Sequence, residues 1–130
     1  MASVFTQIIQ KDIPGHFVYE DDRVIVIMTI QPVKPGHVLV IPKEEVDYWD
    51  DLDEDLAEHL MRIARKAAKA IKKVTGSLRV GFMIAGFEVP HTHIHLIPAN
   101  SMSDFSLAGL AFAEGDDLAD MCQKIKREWV

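Results

Sequence analysis

The chain has 130 residues, a length that suits one domain with one hydrophobic core. Its hydrophobic content of 48% and charged content of 26% are typical of a globular protein, and no apolar run is long enough to predict a membrane span. The formal net charge of −6 argues against a nucleic-acid partner, and a single cysteine without a secretion signal favours a cytoplasmic protein that lacks an internal disulfide.

Apolar and turn-forming residues predict an α+β domain with an antiparallel sheet of about five strands. A short helix is expected over residues 3–10, with Ser3 as its N-cap. Runs of Val and Ile bounded by Gly, Pro or Asp predict strands at residues 16–20, 23–30, 37–41 and 78–85. A long helix is expected over residues 53–74, where apolar residues recur at three-and-four spacing before Gly76, and a last helix from near Asp116.

Three alternating histidines follow the fourth predicted strand. His91, His93 and His95 alternate with Thr92 and Ile94. In an extended strand, successive side chains point to opposite faces of the sheet. The three imidazoles are therefore expected in one row that faces a cleft or solvent, with the intervening side chains toward the core.

The histidine row has three interpretations. It is a polar sheet face without chemistry, which the strict alternation of three histidines disfavours. It is a metal site, since neutral imidazole is a common zinc ligand. Or it serves covalent catalysis, in which one imidazole is the nucleophile and its neighbours orient it and stabilise charge. The spacing alone leaves the last two interpretations open.

Two further motifs accompany the triad, which has the form His-x-His-x-His followed by two apolar residues. Upstream lie Val18-Tyr19-Glu20-Asp21-Asp22 and Pro35-Gly36-His37, the latter followed by an apolar run. Together these motifs resemble the histidine triad (HIT) family, nearest its Hint-like branch, over about residues 4–98. The resemblance implies a HIT-like fold in a single domain over residues 1–130, with a core at about 4–98 and a C-terminal extension at 99–130. It also implies a two-fold homodimer.

The resemblance further implies chemistry on a nucleotide substrate, through a nucleotidyl-histidine intermediate. His93 would be the nucleophile, His95 and His37 would stabilise the phosphoryl group, and His91 would orient the row or relay a proton. No cofactor and no metal ion are expected. The residues expected to contact the substrate are Phe5, Ile8, Ile27, Thr29, Ile30, Gly86, Phe87 and Glu88.

Several positions depart from the family's pattern. Many relatives carry Cys-x-x-Cys and a further histidine for a structural zinc ion, where this chain has Ser3, Thr6 and Glu45, so that zinc site is expected to be absent. Hint-like proteins hold the ribose with an Asp, where this chain has Thr29, and place an Asn near the phosphate, where it has Val80.

Two function classes therefore remain. The first is a hydrolase or transferase of nucleoside phosphate conjugates, such as phosphoramidates, acyl-nucleotides or dinucleoside polyphosphates. The second is a nucleotide- or metal-binding module with little turnover. Glu88 replaces a serine that assists the leaving group in relatives, and this replacement keeps the second class open.

Overall fold

Five strands form one antiparallel sheet in the computed structural model, which describes residues 2–130. The strands are β1 (Phe17–Glu20), β2 (Val24–Met28), β3 (Val38–Pro42), β4 (Arg79–Met83) and β5 (Ile94–Ala99). Their order across the sheet is β1-β2-β3-β5-β4, and every neighbouring pair is antiparallel. The predicted α+β class with an antiparallel sheet is confirmed.

Three α-helices accompany the sheet in this part of the chain. They are α1 (Val4–Ile9), α2 (Glu54–Thr75) and α3 (Gly115–Arg127). The hydroxyl of Ser3 caps α1 by accepting from the backbone N–H of Thr6 at 3.0 Å, as predicted. Gly76 ends α2 in the left-handed region, with φ of 67°, and its N–H donates to the carbonyl of Lys72.

The two faces of the sheet bury different side chains. Alternate residues of β2 and β3 pack against α2 and α3, on what we call the α2 face; they include Val24, Val26, Met28, Val38 and Val40. The residues between them, Ile25, Ile27, Leu39 and Ile41, pack with Phe5 of α1 on the α1 face. Leu39 is paired with His95 across β3 and β5, so His95 also lies on the α1 face.

The strand of the triad begins later than predicted. Because β5 starts at Ile94, only His95 of the three histidines lies within it. The N–H of His91 donates to the carbonyl of Val89, and that of Thr92 donates to the carbonyl of Val46, so these residues bond to loops instead of a neighbouring strand. The ring of His91 is fully buried, and the expectation that it faces a cleft or solvent is wrong.

Val80 lies far from the place expected for it. It is paired with Pro98 across β4 and β5, and it packs against the α2-face core. The histidine His95 lies on the opposite face. Val80 therefore does not stand near the histidine site, and the expectation that it takes the place of a phosphate ligand is wrong.

The C-terminal helix is joined to the sheet by an aromatic and hydrogen-bonded cluster. Trp129 stacks on Tyr19 with ring centroids 4.8 Å apart. The hydroxyl of Tyr19 donates to Asp21 at 2.8 Å, and Nε2 of His59 on α2 lies 2.7 Å from the same carboxylate oxygen. The cluster therefore ties α2 and the residues after α3 to the first hairpin. None of the helices among residues 2–130 has the length and apolar character needed to cross a membrane.

Candidate active site

Two adjoining cavities open on the α1 face beside the histidines. The apolar cavity, of about 240 Å³, brings together the predicted site residues Phe5, Ile8, Ile27, Thr29, Ile30, Glu88, His93 and His95. The polar cavity, of about 350 Å³, is lined by His37 and by residues 107–110. Thr29, Gln31, Glu88 and His95 line both cavities and form the boundary between them.

Three of the predicted site residues line neither cavity. Gly86 and Phe87 lie in the loop between β4 and β5, and the side chain of Phe87 is 97% exposed. Gly86 has φ of 82°, a conformation that favours glycine. His91 lies beneath the apolar cavity wall, against the edge of the Phe5 ring, with centroids 5.8 Å apart. The expected substrate contacts of Gly86 and Phe87, and the expected role of His91 in orienting the row or relaying a proton, remain predictions.

A carbonyl group selects the tautomer of His93. Nδ1 of His93 lies 2.7 Å from the carbonyl oxygen of His91, which can only accept, so Nδ1 carries the proton. In the neutral ring, Nε2 then holds the lone pair. Nε2 has no hydrogen-bond partner among residues 2–130, where every fully buried side-chain nitrogen is paired, so it is open to the cavity that His93 lines.

A chain of hydrogen bonds gives His95 the opposite tautomer. The backbone N–H of Val33 donates to Nδ1 of His37 at 3.0 Å, so a neutral His37 carries its proton on Nε2. That N–H lies 3.0 Å from Nδ1 of His95, which must accept. The proton of His95 is therefore on Nε2, which has no protein partner in the described chain and is available as a donor to a ligand.

Burial keeps the rings of His37 and His95 neutral. It lowers the pKa of His37 to about 3, with a further contribution from the charge of His95, and it lowers the pKa of His95 to about 4, with a further contribution from His93. The rings of His93 and His95 contact each other with centroids 5.1 Å apart. The site thus sets an unprotonated nitrogen beside an N–H donor, which suits attack on an electrophile whose developing negative charge needs a hydrogen bond.

The positions that resemble a zinc site hold a hydrogen-bonded cluster. Ser3 Oγ lies 2.7 Å from Nδ1 of His91, and the hydroxyl of Thr6 donates to Glu45 at 2.6 Å. Two neutral hydroxyls in place of thiolates do not fit a tetrahedral zinc ion, and no cluster of three or more His, Cys, Asp or Glu in residues 2–130 is placed to hold a metal. Nε2 of His91 lies 2.8 Å from the carbonyl of Pro42 and Nδ1 lies 2.7 Å from Ser3 Oγ, so neither ring nitrogen of His91 is directed at the other histidines.

Residues 107–110, in the C-terminal part of the chain, form a wall of the polar cavity that no motif in the sequence predicted. Gln31 holds this segment through a hydrogen bond from its side-chain amide to the carbonyl of Leu110, at 3.1 Å. Gly81 on β4 leaves room for the ring of Phe105, since a Cβ there would lie 2.1 Å from that ring. No local sequence signal links these residues, because the contact depends on the fold of the whole chain.

Comparison with known proteins identifies relatives along most of the chain. A family model described as HIT domain matches residues 10–102. An uncharacterized HIT-like protein of Borreliella burgdorferi is 35% identical and is matched over 95% of this chain and 90% of its own length. The adenosine 5'-monophosphoramidase HNT1 of Saccharomyces cerevisiae is 34% identical over 88% of this chain and 73% of its own.

The fold has a similar relative among solved structures. A HIT-like protein involved in cell-cycle regulation, from Bartonella henselae, has a TM-score of 0.85 and 31% sequence identity. The match covers 97% of this chain and 95% of that protein's chain. The whole architecture is therefore shared, including the helix that follows the triad.

The neutral histidines predict an acid-sensitive fold. Folded-state pKa values of about 3 for His37 and 4 for His95 lie below the unfolded value, so the unfolded chain binds more protons below about pH 6.5. Stability should fall as the pH drops from about 6.5 toward 4, each histidine contributing a slope of up to about 1.4 kcal/mol per pH unit. His37→Gln should remove one such contribution in urea unfolding curves. An unchanged slope in this variant would contradict the assignment.

Proposed function

This chain belongs to the HIT family, and from that premise we propose that it is a nucleotide hydrolase or transferase that works through a nucleotidyl-histidine intermediate on His93. The observation that carries the proposal is the pairing of a free lone pair on His93 with a free N–H on His95, at the boundary between an apolar and a polar cavity. The 34% identity to a yeast adenosine 5'-monophosphoramidase supports the reaction class.

In the proposed first step, Nε2 of His93 attacks the phosphorus of the substrate. An N–P bond forms, the bond from phosphorus to the leaving group breaks, and the leaving group takes a proton from water in the polar cavity. The N–H of His95 donates to a phosphoryl oxygen as charge develops there. The carbonyl of His91 accepts from Nδ1–H of His93 and stabilises the positive charge on the nucleotidylated ring.

In the second step, water attacks the same phosphorus and the N–P bond breaks. The nucleoside monophosphate leaves, the proton of the attacking water passes to solvent, and His93 regains its lone pair. An acceptor other than water gives transfer instead of hydrolysis. His37 keeps His95 in the donating tautomer throughout, because its own Nδ1 is held by the backbone of Val33.

The charges around the cavities favour substrates with a single phosphate. No Lys or Arg among the described residues lines either cavity, and Glu88 is the charged residue common to both. A polyphosphate chain would meet this carboxylate without a compensating cation. We therefore favour nucleoside phosphoramidates and acyl-nucleotides over dinucleoside polyphosphates. The alternative is a nucleotide-binding module with little turnover. Turnover of phosphoramidates or acyl-nucleotides would distinguish the enzyme from this binding module.

The first prediction from the proposed function concerns the nucleophile. His93→Ala should lower kcat for adenosine phosphoramidate by about 10³-fold or more, because only this ring forms the covalent bond. The affinity for AMP should change little, since the apolar cavity that holds the base remains. His16→Ala, which alters a histidine that lines neither cavity, is the control. A large loss in His91→Ala together with little loss in His93→Ala would reverse the assigned roles.

The second prediction concerns the sugar. Thr29 offers one neutral hydroxyl at the boundary of the cavities, where an Asp would accept from both ribose hydroxyls with charge-assisted bonds of roughly 1.5–3 kcal/mol each. The wild type should bind AMP weakly, with little preference over dAMP or over GMP and CMP. Thr29→Asp should tighten AMP selectively. Calorimetric titration measures all four ligands, and strong wild-type discrimination against dAMP would contradict this account.

The third prediction concerns assembly. Strand β4 is at the edge of the sheet; Phe82 within it is 46% exposed, and Leu78, directly before it, is 72% exposed. We propose that two chains pair along this edge, which removes an open strand and covers these side chains. Sedimentation at micromolar concentration should give twice the chain mass of 14.6 kDa, and Phe82→Glu should shift it to the monomer. A wild-type monomer would refute the dimer.

We further propose that residues 1–130 act as a single cytoplasmic domain. The packing of α3 and Trp129 against α2 and the first hairpin supports one folding unit that includes the C-terminal extension. Cys122, the one cysteine of the chain, is buried as a free thiol, as in proteins of a reducing compartment.

A further inference from the structure

We propose that Ser3, Thr6 and Glu45 form a positioning network for the catalytic histidines, acting through His91. In this proposal His91 is a positioning residue that never touches the substrate, and it does not relay a proton to the leaving group. The inference rests on the proposed role of His93 as the nucleophile. The network joins the start of α1 to the segment that follows β3.

Glu45 determines which groups act as hydrogen-bond donors in the network. One oxygen of its carboxylate accepts from the backbone N–H of Ser3 at 2.7 Å and from the hydroxyl of Thr6 at 2.6 Å. These bonds lower the pKa of Glu45 below its usual value, the bond from the Ser3 backbone contributing most. A carboxylate can only accept, so the hydroxyl proton of Thr6 is committed to Glu45.

Ser3 connects Thr6 to His91 by hydrogen bonds. Its oxygen accepts from the N–H of Thr6 at 3.0 Å, and it lies 2.7 Å from Nδ1 of His91 but 3.4 Å from the Thr6 hydroxyl. The Ser3 hydroxyl therefore donates to Nδ1 of His91, which is the nearer of the two acceptors. On the other side of the ring, Nε2–H of His91 donates to the carbonyl of Pro42 at 2.8 Å. The fully buried ring is therefore held at both nitrogens in one tautomer.

The carbonyl of His91 carries the effect to the nucleophile. It accepts from Nδ1–H of His93 at 2.7 Å and so determines where Nε2 points. A His91 ring that lost its partner at Nδ1 would be free to shift, and the peptide that holds His93 would shift with it. Phe5, between Ser3 and Thr6 on the same helix, lies against the His93 ring with centroids 4.8 Å apart.

The competing explanation is that the network merely anchors α1. Since α1 supplies Phe5 and Ile8 to the apolar cavity, a loosened α1 would weaken nucleotide binding and raise KM. A misdirected His93 would instead lower kcat and leave KM unchanged. Comparing the change in kcat with the change in KM therefore distinguishes a positioning role from an anchoring role.

The experiment compares Thr6→Val and Glu45→Gln with matched controls. Both variants conserve shape while they remove a donor or a charge, and both avoid the helix cap that Ser3→Ala would lose. Each should lower kcat for adenosine phosphoramidate by about 10-fold, with KM within about twofold of the wild type. Thr6→Ser, which restores the hydroxyl, should recover activity, and Glu44→Gln, which changes the adjacent exposed carboxylate, should have no effect.

A raised KM with an unchanged kcat, or no change in either constant, would overturn the positioning role. A second readout needs no turnover: ¹⁵N spectra of the histidine rings should give Nε2–H for His91 and Nδ1–H for His93 in the wild type. Both variants should shift the Nδ1 resonance of His91, because Ser3 is no longer held in place by the bonds to Glu45, while the tautomers set by the Pro42 and His91 carbonyls persist. An unchanged Nδ1 resonance would refute the network. If the wild type shows no turnover, the proposed function is refuted but the network is not, because the ring spectra test the network independently.

Discussion

The hydrogen bond between Nδ1 of His93 and the carbonyl of His91 determines what the site can do. It places the proton of one imidazole on the nitrogen that faces the protein and leaves the lone pair facing the cavity. A second chain of bonds, from Val33 through His37, gives His95 the reverse arrangement. Two identical side chains thereby present different groups to the cavity, a lone pair on His93 and an N–H on His95, because a backbone carbonyl bonds to His93 and a backbone N–H begins the series of bonds that ends at His95.

This arrangement requires the late start of β5. The ladder between β3 and β5 ends at the pair of Val40 with Ile94, so the carbonyl of His91 is not used in the sheet and can accept from a side chain. Had the strand begun at residue 91, its backbone groups would have been committed to a neighbouring strand. The loop bonds of His91 and Thr92 therefore shape the site as much as the histidines do.

The sequence predicted the parts of the structure that depend on local patterns. Runs of Val and Ile located the strands, and the three-and-four spacing located α2 with its glycine cap. Alternation also indicated that His93 and His95 would lie near each other. Together with the family resemblance, these patterns anticipated most of the side chains around the apolar cavity.

Features that depend on long-range contacts could not be predicted in this way. Ser3 and His91 are separated by 88 residues, and only the folded chain shows that they share a hydrogen bond. The face on which Val80 lies follows from the register of β4 on β5, which an ungapped alignment does not give. The wall at residues 107–110 likewise depends on Gln31.

The stereochemistry at phosphorus tests the covalent role of His93 most directly. A substrate with a chiral phosphorothioate group, hydrolysed in ¹⁸O-labelled water, reports whether one or two in-line displacements occur. Two displacements, the first by His93 and the second by water, give net retention of configuration, which is the result that this account predicts. Net inversion would mean that water attacks the substrate directly, and it would contradict the nucleotidyl-histidine intermediate.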